Sequence, residues 1–266
     1  MAKRITTGFI SDTVNGIKIN KSYKCNSTNY TNSSERTIKY IVIHYTGNKK
    51  DTAKANANYF QRANCRASAH FFVDNVSIYQ SVELRDVAWH CGGSTYYHSY
   101  CRNSNAIGIE MCCTAGNYKA SSTTIENTAY LCANLCKRIG ISANEVDKYV
   151  LRHYDITHKK CPAQFANSVN DADWLAFKKQ VKKILGGTTT NKSDDDFKEY
   201  KVRIITNVLN IREEAGASYA KVGEVEKDEV FTIVDEKKNG STTWGLLKSG
   251  KAERNRWISL KYTERV

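Results

Sequence analysis

The sequence predicts an α/β domain, in which a mixed β-sheet is flanked by helices, followed by a small all-β module. Three observations favour this fold class. An unbroken apolar run that ends in a histidine, at 40–44, is typical of a strand buried on both faces. Apolar residues recur at helical spacing in 123–139 and in 171–185. Beyond residue 200, apolar positions alternate in short segments separated by turns, which is typical of a small barrel.

The elements of the first domain follow in order after the strand at 40–44. A helix-like stretch covers 51–64, and the runs 71–73 and 78–82 predict a hairpin. Residues 88–105 are rich in Tyr, His, Gly, Ser and Cys and have no clear period. We expect a long loop there, and long loops in compact domains are often functional.

Two further strands place polar side chains at informative positions. The alternation of 107–111 puts Glu110 on the face opposite the apolar residues of that strand. The helix at 123–139 ends at Gly140, where a C-cap is expected. A short strand at 149–151 then leads through Arg152 into His153, so that a second histidine follows the end of a strand.

A change of composition separates the two parts of the chain. Residues 187–199 are rich in Gly, Thr, Asn, Ser and Asp without an apolar period, which is typical of a flexible linker. We therefore expect one domain over 1–186, a linker over 187–199 and a second domain over 200–266. The strands predicted in the second domain are 202–205, 209–211, 230–234, 244–247 and 257–260, with a turn at 239–240.

Charge and cysteine content restrict the class of protein. The formal net charge of +13 favours a polyanionic partner, such as nucleic acid, an anionic membrane or a wall polymer. The basic residues are scattered and match no nucleic-acid-binding motif, so we expect no nucleic-acid partner. Nine cysteines without regular spacing argue against a full disulfide framework. The sequence leaves open whether Cys91 and Cys101, which flank the long loop, form a pair.

The distribution of apolar residues also bears on where the protein is made and acts. The N-terminal residues lack an apolar stretch long enough for a signal peptide, and no run could span a bilayer. We expect a protein that is made in the cytoplasm, inserts into no membrane and acts elsewhere only after release. The oligomeric state is open, and a monomer is assumed.

Three side chains have the chemistry of a zinc site. His44 follows a buried strand, and His153 and Cys161 flank a short loop. Imidazole and thiolate are good zinc ligands, and three protein ligands leave a fourth position open for water, as catalysis requires. The spacing alone leaves two alternatives: a structural metal held by His153, His158 and Cys161, or no metal at all.

Five segments, taken together and in order, resemble a known family. They are IVIHYTG at 41–47, SAHFFVD at 68–74, AWHCGG at 88–93, SNAIGIEM at 104–111 and RHYDITHKKCP at 152–162. The chain is similar over about 36–185 to the phage-type N-acetylmuramoyl-L-alanine amidases, relatives of the animal peptidoglycan recognition proteins. The resemblance implies a mixed sheet with packed helices and a zinc ion in a surface groove, with His44, His153 and Cys161 at the positions of the zinc ligands.

The same resemblance implies two catalytic residues. Glu110 matches the acid that takes a proton from zinc-activated water and passes it to the leaving nitrogen. Lys159 matches a lysine that faces the scissile carbonyl and stabilises its oxyanion, although the adjacent Lys160 leaves the register open by one residue. Some relatives carry a tyrosine where this chain has Ala69, a departure that gives Glu110 more weight.

Other residues of these segments are also expected to have roles in or near the site. His90 and Trp89 are predicted to line the groove and contact the substrate, although a structural role is an alternative for His90. Asp155 is expected to cap or orient its neighbours, with a place beside the metal ligands as a further option. The remaining histidines, His70, His98 and His158, are expected to be structural or to lie on the surface.

Residues 200–266 resemble bacterial SH3-like wall-binding domains. The pattern opens with LNIR at 209–212 and continues through WGLLK and RWISLKY. Trp244 and Trp257 are expected to form core or groove wall. Such a module would tether the enzyme to a polymeric substrate and raise its local concentration.

The leading hypothesis is therefore a zinc-dependent hydrolase of bacterial peptidoglycan, which cleaves the amide between N-acetylmuramic acid and L-alanine. A phage endolysin or an autolysin would use this activity to lyse cell walls. The alternative is a peptidoglycan-binding protein without catalysis, which the presence of Cys161 disfavours. A nucleic-acid-binding protein would rest on the positive charge alone.

Overall fold

A computed structural model describes residues 3–166, 169–186, 199–213, 215–248 and 256–266. The chain divides into two compact units, Met1–Thr189 and Thr190–Val266. The predicted linker, 187–199, lies outside the described residues apart from Glu199.

The described part of the first unit contains eleven strands and six helices. The strands are β1 (Lys3–Ile5), β2 (Thr13–Val14), β3 (Ile17–Lys18), β4 (Tyr30–Thr31), β5 (Arg36–Ile38), β6 (Tyr40–Tyr45), β7 (Phe71–Val73), β8 (Ile78–Gln80), β9 (Val87–Ala88), β10 (Ala106–Met111) and β11 (Val150–Arg152). The helices are α1 (Ala53–Tyr59), α2 (Ser122–Ile139), α3 (Val146–Tyr149), α4 (His153–Thr157), α5 (Ala163–Ala166) and α6 (Ala172–Leu185). Short 3-10 turns lie at Ser27–Asn29, Asn103–Asn105, Ala143–Glu145 and Val169–Asp171.

A five-stranded mixed sheet forms the centre of this unit and confirms the predicted α/β class. Its strand order is β11, β6, β10, β7, β8; the first four run parallel, and β8 returns antiparallel to β7 as the predicted hairpin. In the register, His44 lies opposite Glu110, and Ile43 lies opposite Arg152. His153 therefore follows β11 at the level of His44. Carboxyl ends of parallel strands are where such sheets build their sites.

The two faces of the sheet carry different helices. Phe71 and Ile109 pack into the main core together with Ala129 and Ala133 of α2, and α6 packs on α2. Phe72 points to the other face and packs against Ala53 and Ala57 of α1. Glu110 lies opposite both Phe72 and His44 in the register. The side chains of Glu110 and His44 therefore lie on the same face of the sheet as Phe72, the face that α1 covers.

Helix α2 follows from its sequence. Its buried positions, which include Ala129, Leu135 and Ile139, recur at helical spacing and form one face. The Ser121 hydroxyl accepts a hydrogen bond from the Thr124 amide and caps the start. Gly140 closes the helix in the left-handed conformation, with φ of 78°. The predicted helix and its C-cap are confirmed.

Helix α1 is shorter than predicted, because residues at both ends of the 51–64 segment form caps, hydrogen bonds or turns instead of helix. Thr52 is the N-cap, and Asp51 accepts a hydrogen bond from the Cys113 amide at 2.6 Å. Phe60 caps the C-terminus, and Asn64 has a positive φ of 59° that no helix accommodates. The apolar period of the sequence did not reveal either constraint.

The segment before residue 39, which had no predicted role, belongs to the same unit. Strand β1 pairs with β5, β4 pairs with β9, and Asn20 forms a bridge to Tyr79 beside the sheet. Ile5 and Ile38 of this segment lie in the main core. The described residues of this segment therefore belong to the same packed unit as the central sheet.

The described residues of the second unit form a seven-stranded antiparallel sheet. Its strands are β12 (Tyr200–Ile204), β13 (Val208–Arg212), β14 (Lys221–Glu226), β15 (Val230–Asn239), β16 (Thr242–Leu247), β17 (Trp257–Ser259) and β18 (Thr263–Arg265), with a 3-10 turn at Leu260–Tyr262. They lie in the order β14, β13, β17, β16, β15, β12, β18. Five strands and the turn at Gly240 match the prediction, whereas β14 and β18 were missed. The all-β class is confirmed, and an SH3-like barrel stays a prediction.

Within the described residues, no helix has both the length and the apolar character needed to cross a bilayer.

Candidate metal centre and active site

The structure brings His44, His153 and Cys161 together. Their ligand atoms all lie within 4.8 Å of one another, and all three side chains are buried. His44 comes from the end of β6, and His153 is the first residue of α4. The third member, Cys161, follows the short loop after α4. Two adjacent parallel strands and one connection therefore build the cluster, because strand register places their ends side by side.

Hydrogen bonds orient these side chains. The Sγ atom of Cys161 lies 3.8 Å from Nδ1 of His44. Nε2 of His153 lies 3.0 Å from the carbonyl oxygen of Gly92. A neutral imidazole that donates through Nε2 keeps a lone pair on Nδ1, so this contact selects the tautomer that could bind a metal.

A buried arginine secures the connection that carries His153 and Cys161. The Arg152 guanidinium donates to Asp155, to Asp171 and to the Phe165 carbonyl oxygen, with distances of 2.7 Å to each carboxylate. Asp155 also accepts from the Arg152 amide at 2.7 Å and so caps α4, in line with its expected local role. These contacts hold both ends of the segment from β11 to α6.

The protonation states of the three clustered side chains are compatible with metal binding. Burial lowers the pKa of His44 well below its usual range, and burial together with Lys159 lowers the pKa of His153 to about 4. Both imidazoles are therefore neutral and have lone pairs at physiological pH. Burial raises the pKa of the Cys161 thiol to about 12, so its thiolate needs a cation beside it. Two neutral imidazoles and one thiol are a donor set that fits zinc.

Glu110 lies beside the cluster, opposite His44 in the strand register. Its Oε2 atom is buried and has no hydrogen-bond partner among the residues that the structure describes. Burial raises the pKa of this carboxyl to about 8, an effect that Lys159 opposes and Asp51 reinforces. A carboxyl with a pKa near neutrality can both accept and donate a proton.

Lys159 carries a charge that influences the cluster, and its role toward a substrate stays a prediction. It is exposed, and its charge lowers the pKa values of His44, His153, Cys161 and Glu110. The charge of Lys159 therefore acts on all four groups.

His90 and Trp89 lie in different surroundings. Nδ1 of His90 lies 3.0 Å from Nε2 of His44, and the His90 ring is only 8 % exposed. The ring rests against Gly108, where a Cβ atom would come within 2.6 Å of it. Trp89 is half-buried, and its indole donates to the Thr31 hydroxyl at 3.0 Å. A substrate contact by either residue stays a prediction.

Three neighbours of the cluster were missed by sequence reasoning. The Gly92 carbonyl orients His153, and Asp51 raises the pKa of Glu110. Cys91 joins His44 and His90 in a second group whose ligand atoms lie within 4.8 Å of one another. The segment AWHCGG contained a signal, since it places Cys91 and Gly92 directly after His90.

The other expectations about thiols and histidines can be compared with the structure. Cys91 and Cys101 are both buried free thiols, and burial together with Cys101 raises the pKa of Cys91. Among the described residues, His158 lies outside both metal-compatible groups; it is exposed and stacks on Tyr97 at 3.6 Å between ring centroids. His70 is fully buried between Arg36 and the Gly108 amide.

Comparison with known proteins finds a family whose model matches the part of the chain that carries this geometry. Residues 34–164 match the N-acetylmuramoyl-L-alanine amidase family. The matched segment contains His44, His90, Glu110, His153 and Cys161.

Curated relatives and solved structures agree with this match. The chain is 35% identical over 167 residues to the N-acetylmuramoyl-L-alanine amidase CwlL of Bacillus licheniformis, which covers 59% of this chain and 44% of the relative. It is 34% identical over 169 residues to the amidase BlyA of Bacillus subtilis (strain 168), with the same coverage. The chain thus spans less than half the length of these relatives. The catalytic domain of XlyA superposes with a TM-score of 0.51 and 27% identity, covering 62% of this chain and 99% of that domain.

Proposed function

We propose that this chain is a zinc-dependent hydrolase that cleaves the amide between N-acetylmuramic acid and L-alanine in bacterial peptidoglycan. The observation that carries the proposal is the buried cluster of His44, His153 and Cys161 beside Glu110, within the segment that matches the amidase family. The relatives that share this segment are named for the same activity.

The three clustered side chains would hold the zinc ion. Zinc in such a site supplies Lewis-acid chemistry, since it polarises a carbonyl group and makes water a stronger acid. Three protein ligands leave room for one more, and the Gly92 carbonyl fixes the His153 ring for this task.

Glu110 would move the proton. Its Oε2 atom takes a proton from the attacking water as the water oxygen bonds to the lactyl carbonyl carbon. As the carbon–nitrogen bond breaks, the same atom returns the proton to the nitrogen of L-alanine. A pKa of about 8 allows both steps near neutral pH, because neither form of the carboxyl is strongly favoured.

Lys159 would stabilise the charge that develops on the carbonyl oxygen. It is exposed, and its charge already acts on Glu110 and on all three clustered ligands. A fixed cation beside a developing oxyanion stabilises the transition state more than the ground state.

The second unit would act as an SH3-like module that binds the cell wall. Its all-β sheet and the order of its sequence motifs support this role, and tethering would keep the catalytic unit at a polymeric substrate. The whole protein would then lyse bacterial walls as an endolysin or an autolysin. It would act on the wall after release from the cytoplasm, without a nucleic-acid partner and without inserting into a membrane.

The test is release of stem peptides with a new N-terminal alanine from purified peptidoglycan. We expect the wild-type protein to release them, and Glu110→Gln to slow release by at least about 100-fold, as expected for loss of a general base. Lys159→Gln should slow release, whereas the matched variant Lys160→Gln should not. Wall binding without release by a zinc-loaded wild-type protein would instead indicate a binding protein.

A further inference from the structure

The sheet of the second unit carries an unusual set of side chains on the face away from its core. Leu209, Ile211 and Ile258 point into the core. Since side chains alternate along a strand, Asn210, Arg212 and Trp257 point the other way. Arg212 lies directly opposite Trp257, and Trp244 lies directly opposite Ser259.

Two tryptophans on this outer face are covered by the chain itself. Trp244 and Trp257 pack with Ala215, whose carbonyl oxygen accepts a hydrogen bond from the Asn239 side chain at 2.7 Å. The indole Nε1 of Trp257 is buried and has no hydrogen-bond partner among the described residues. The outer face therefore has its own small aromatic cluster with an unused donor.

A groove of 470 Å³ opens on this face beside the aromatic cluster. Its walls include Asn210, Arg212, Trp244, Ser259, Lys261 and Tyr262. None of the described residues that line it is acidic. One nitrogen of the Arg212 guanidinium donates to the Tyr219 carbonyl oxygen, which holds the group in place. Among the described residues, the other donors of this guanidinium have no hydrogen-bond partner.

The lining predicts the chemistry of a ligand. Aromatic side chains provide flat apolar walls, and the amide and hydroxyl groups provide hydrogen bonds to a ligand rich in hydroxyls. The two cations select negative charge, and an arginine fork matches a carboxylate in particular. Residues 200–266 hold 13 Lys and Arg against 10 Asp and Glu, a net charge of +3 that also favours an anion. A carboxylated sugar chain combines all of these features.

We propose that this groove binds the glycan strands that amide hydrolysis leaves behind. The inference rests on the proposed function. Water adds across the amide, the hydroxyl stays on the lactyl carbonyl carbon, and the proton goes to the nitrogen of the departing peptide. Each cleavage therefore leaves an ionised carboxylate on the sugar, next to the pyranose ring. Arg212 and Lys261 bind this new charge, so the second unit prefers cleaved strands to intact ones.

The experiment measures binding of the full-length protein to two defined oligosaccharides of alternating N-acetylglucosamine and N-acetylmuramic acid. One has free lactyl carboxylates, and the other has the same carboxyl groups blocked as methylamides. We expect the free acid to bind at least about tenfold more tightly, because the blocked oligosaccharide lacks the carboxylate that accepts charge-assisted hydrogen bonds. The indole N–H resonance of Trp244 should shift on binding, whereas that of Trp174 in the first unit should not.

Matched variants locate the site. Lys261→Gln and Arg212→Gln should each weaken binding of the free acid about tenfold. Lys201→Gln removes the same charge from an exposed position outside the groove and should have no effect. Thermal unfolding of each variant verifies the fold, and Arg212→Lys, which keeps the charge, should bind with intermediate affinity.

Three outcomes would overturn the inference: equal binding of the free and the blocked oligosaccharide, equal loss in Lys201→Gln, or stronger binding of poly(glycerol phosphate) at the same indole. The oligosaccharides are supplied already cleaved, so this result does not depend on the chain's own catalysis. If alanine release occurs while the groove variants bind normally, the inference fails and the proposed function stands. If the free acid binds in the groove but no alanine is released, the proposed function fails instead.

Discussion

Glu110 is the residue whose charge state most affects both stability and chemistry. Its folded pKa of about 8 exceeds the ordinary value, because burial penalises the carboxylate more than Lys159 favours it. The folded protein therefore binds more protons than the unfolded chain between the two pKa values. Stability must then fall as pH rises through this window, by at most about 1.4 kcal/mol per pH unit.

This leads to the first prediction, for the metal-free protein. Glu110→Gln should be more stable than the wild type at pH 8 and nearly equal to it at pH 4, because the neutral amide escapes the cost of burying a charge. Urea unfolding in the presence of a chelator measures the difference. Glu145→Gln is the control: hydrogen bonds from Ser142 lower the pKa of that carboxyl, so its substitution should bring no gain in stability as pH rises. A constant stability difference across pH for Glu110→Gln would contradict the assignment.

His90 acts on the cluster through His44, as the 3.0 Å contact between their ring nitrogens indicates. A partner on the second nitrogen of a metal-binding histidine fixes its tautomer and orientation. We therefore predict that His90→Asn weakens zinc affinity about 10- to 100-fold, as measured by competition with a chromophoric chelator. His158→Asn is the matched control, because this exposed residue has a positive φ of 57° that asparagine tolerates. Unchanged zinc affinity in His90→Asn would rule out the positioning role.

Strand β10 depends on the small size of one residue at its centre. A Cβ atom at Gly108 would lie 2.6 Å from the His90 ring, in a buried region where neither group can move far. We predict that Gly108→Ala destabilises the protein by about 1–3 kcal/mol through overpacking and also weakens zinc binding. Gly92→Ala is the control, since a Cβ atom there meets open space. Equal melting temperatures for both variants would show that β10 tolerates the extra methyl group.

The elements show what the sequence could and could not predict. The apolar run of β6 and the helical period of α2 depend on local pattern, so both were predicted. The grouping of His44 with Cys161 came from the resemblance, because 117 residues separate them and only the tertiary fold brings them together. Strands β14 and β18 were missed, since both are largely exposed and lack an apolar alternation.

Site residues whose role depends on tertiary contacts were also hard to predict. The Gly92 carbonyl carries no side-chain signal, yet it orients His153. Similarly, the sequence gives no reason for His90 to face His44 rather than solvent. That orientation depends on the space above Gly108.

At the scale of the whole molecule, metal binding and folding should be linked. The three predicted ligands come from β6, α4 and the loop before α5, which are separate in the unfolded chain. A ligand that binds only the folded state stabilises it, by about 4 kcal/mol when free zinc is about 1,000 times the Kd. We predict that zinc raises the melting temperature of the first unit's transition. Cys161→Ala should lose this shift, and a shift of equal size in that variant would place the metal elsewhere.

The most direct measurement follows zinc content and alanine release together while zinc is added back to metal-free protein. The cluster of His44, His153 and Cys161 predicts that release rises in proportion to bound zinc and levels off at one ion per chain. Cys161→Ala should neither retain the ion nor release alanine, while it still sediments with purified walls. Release by the metal-free protein at the rate of the zinc-loaded protein would contradict a zinc-dependent amidase.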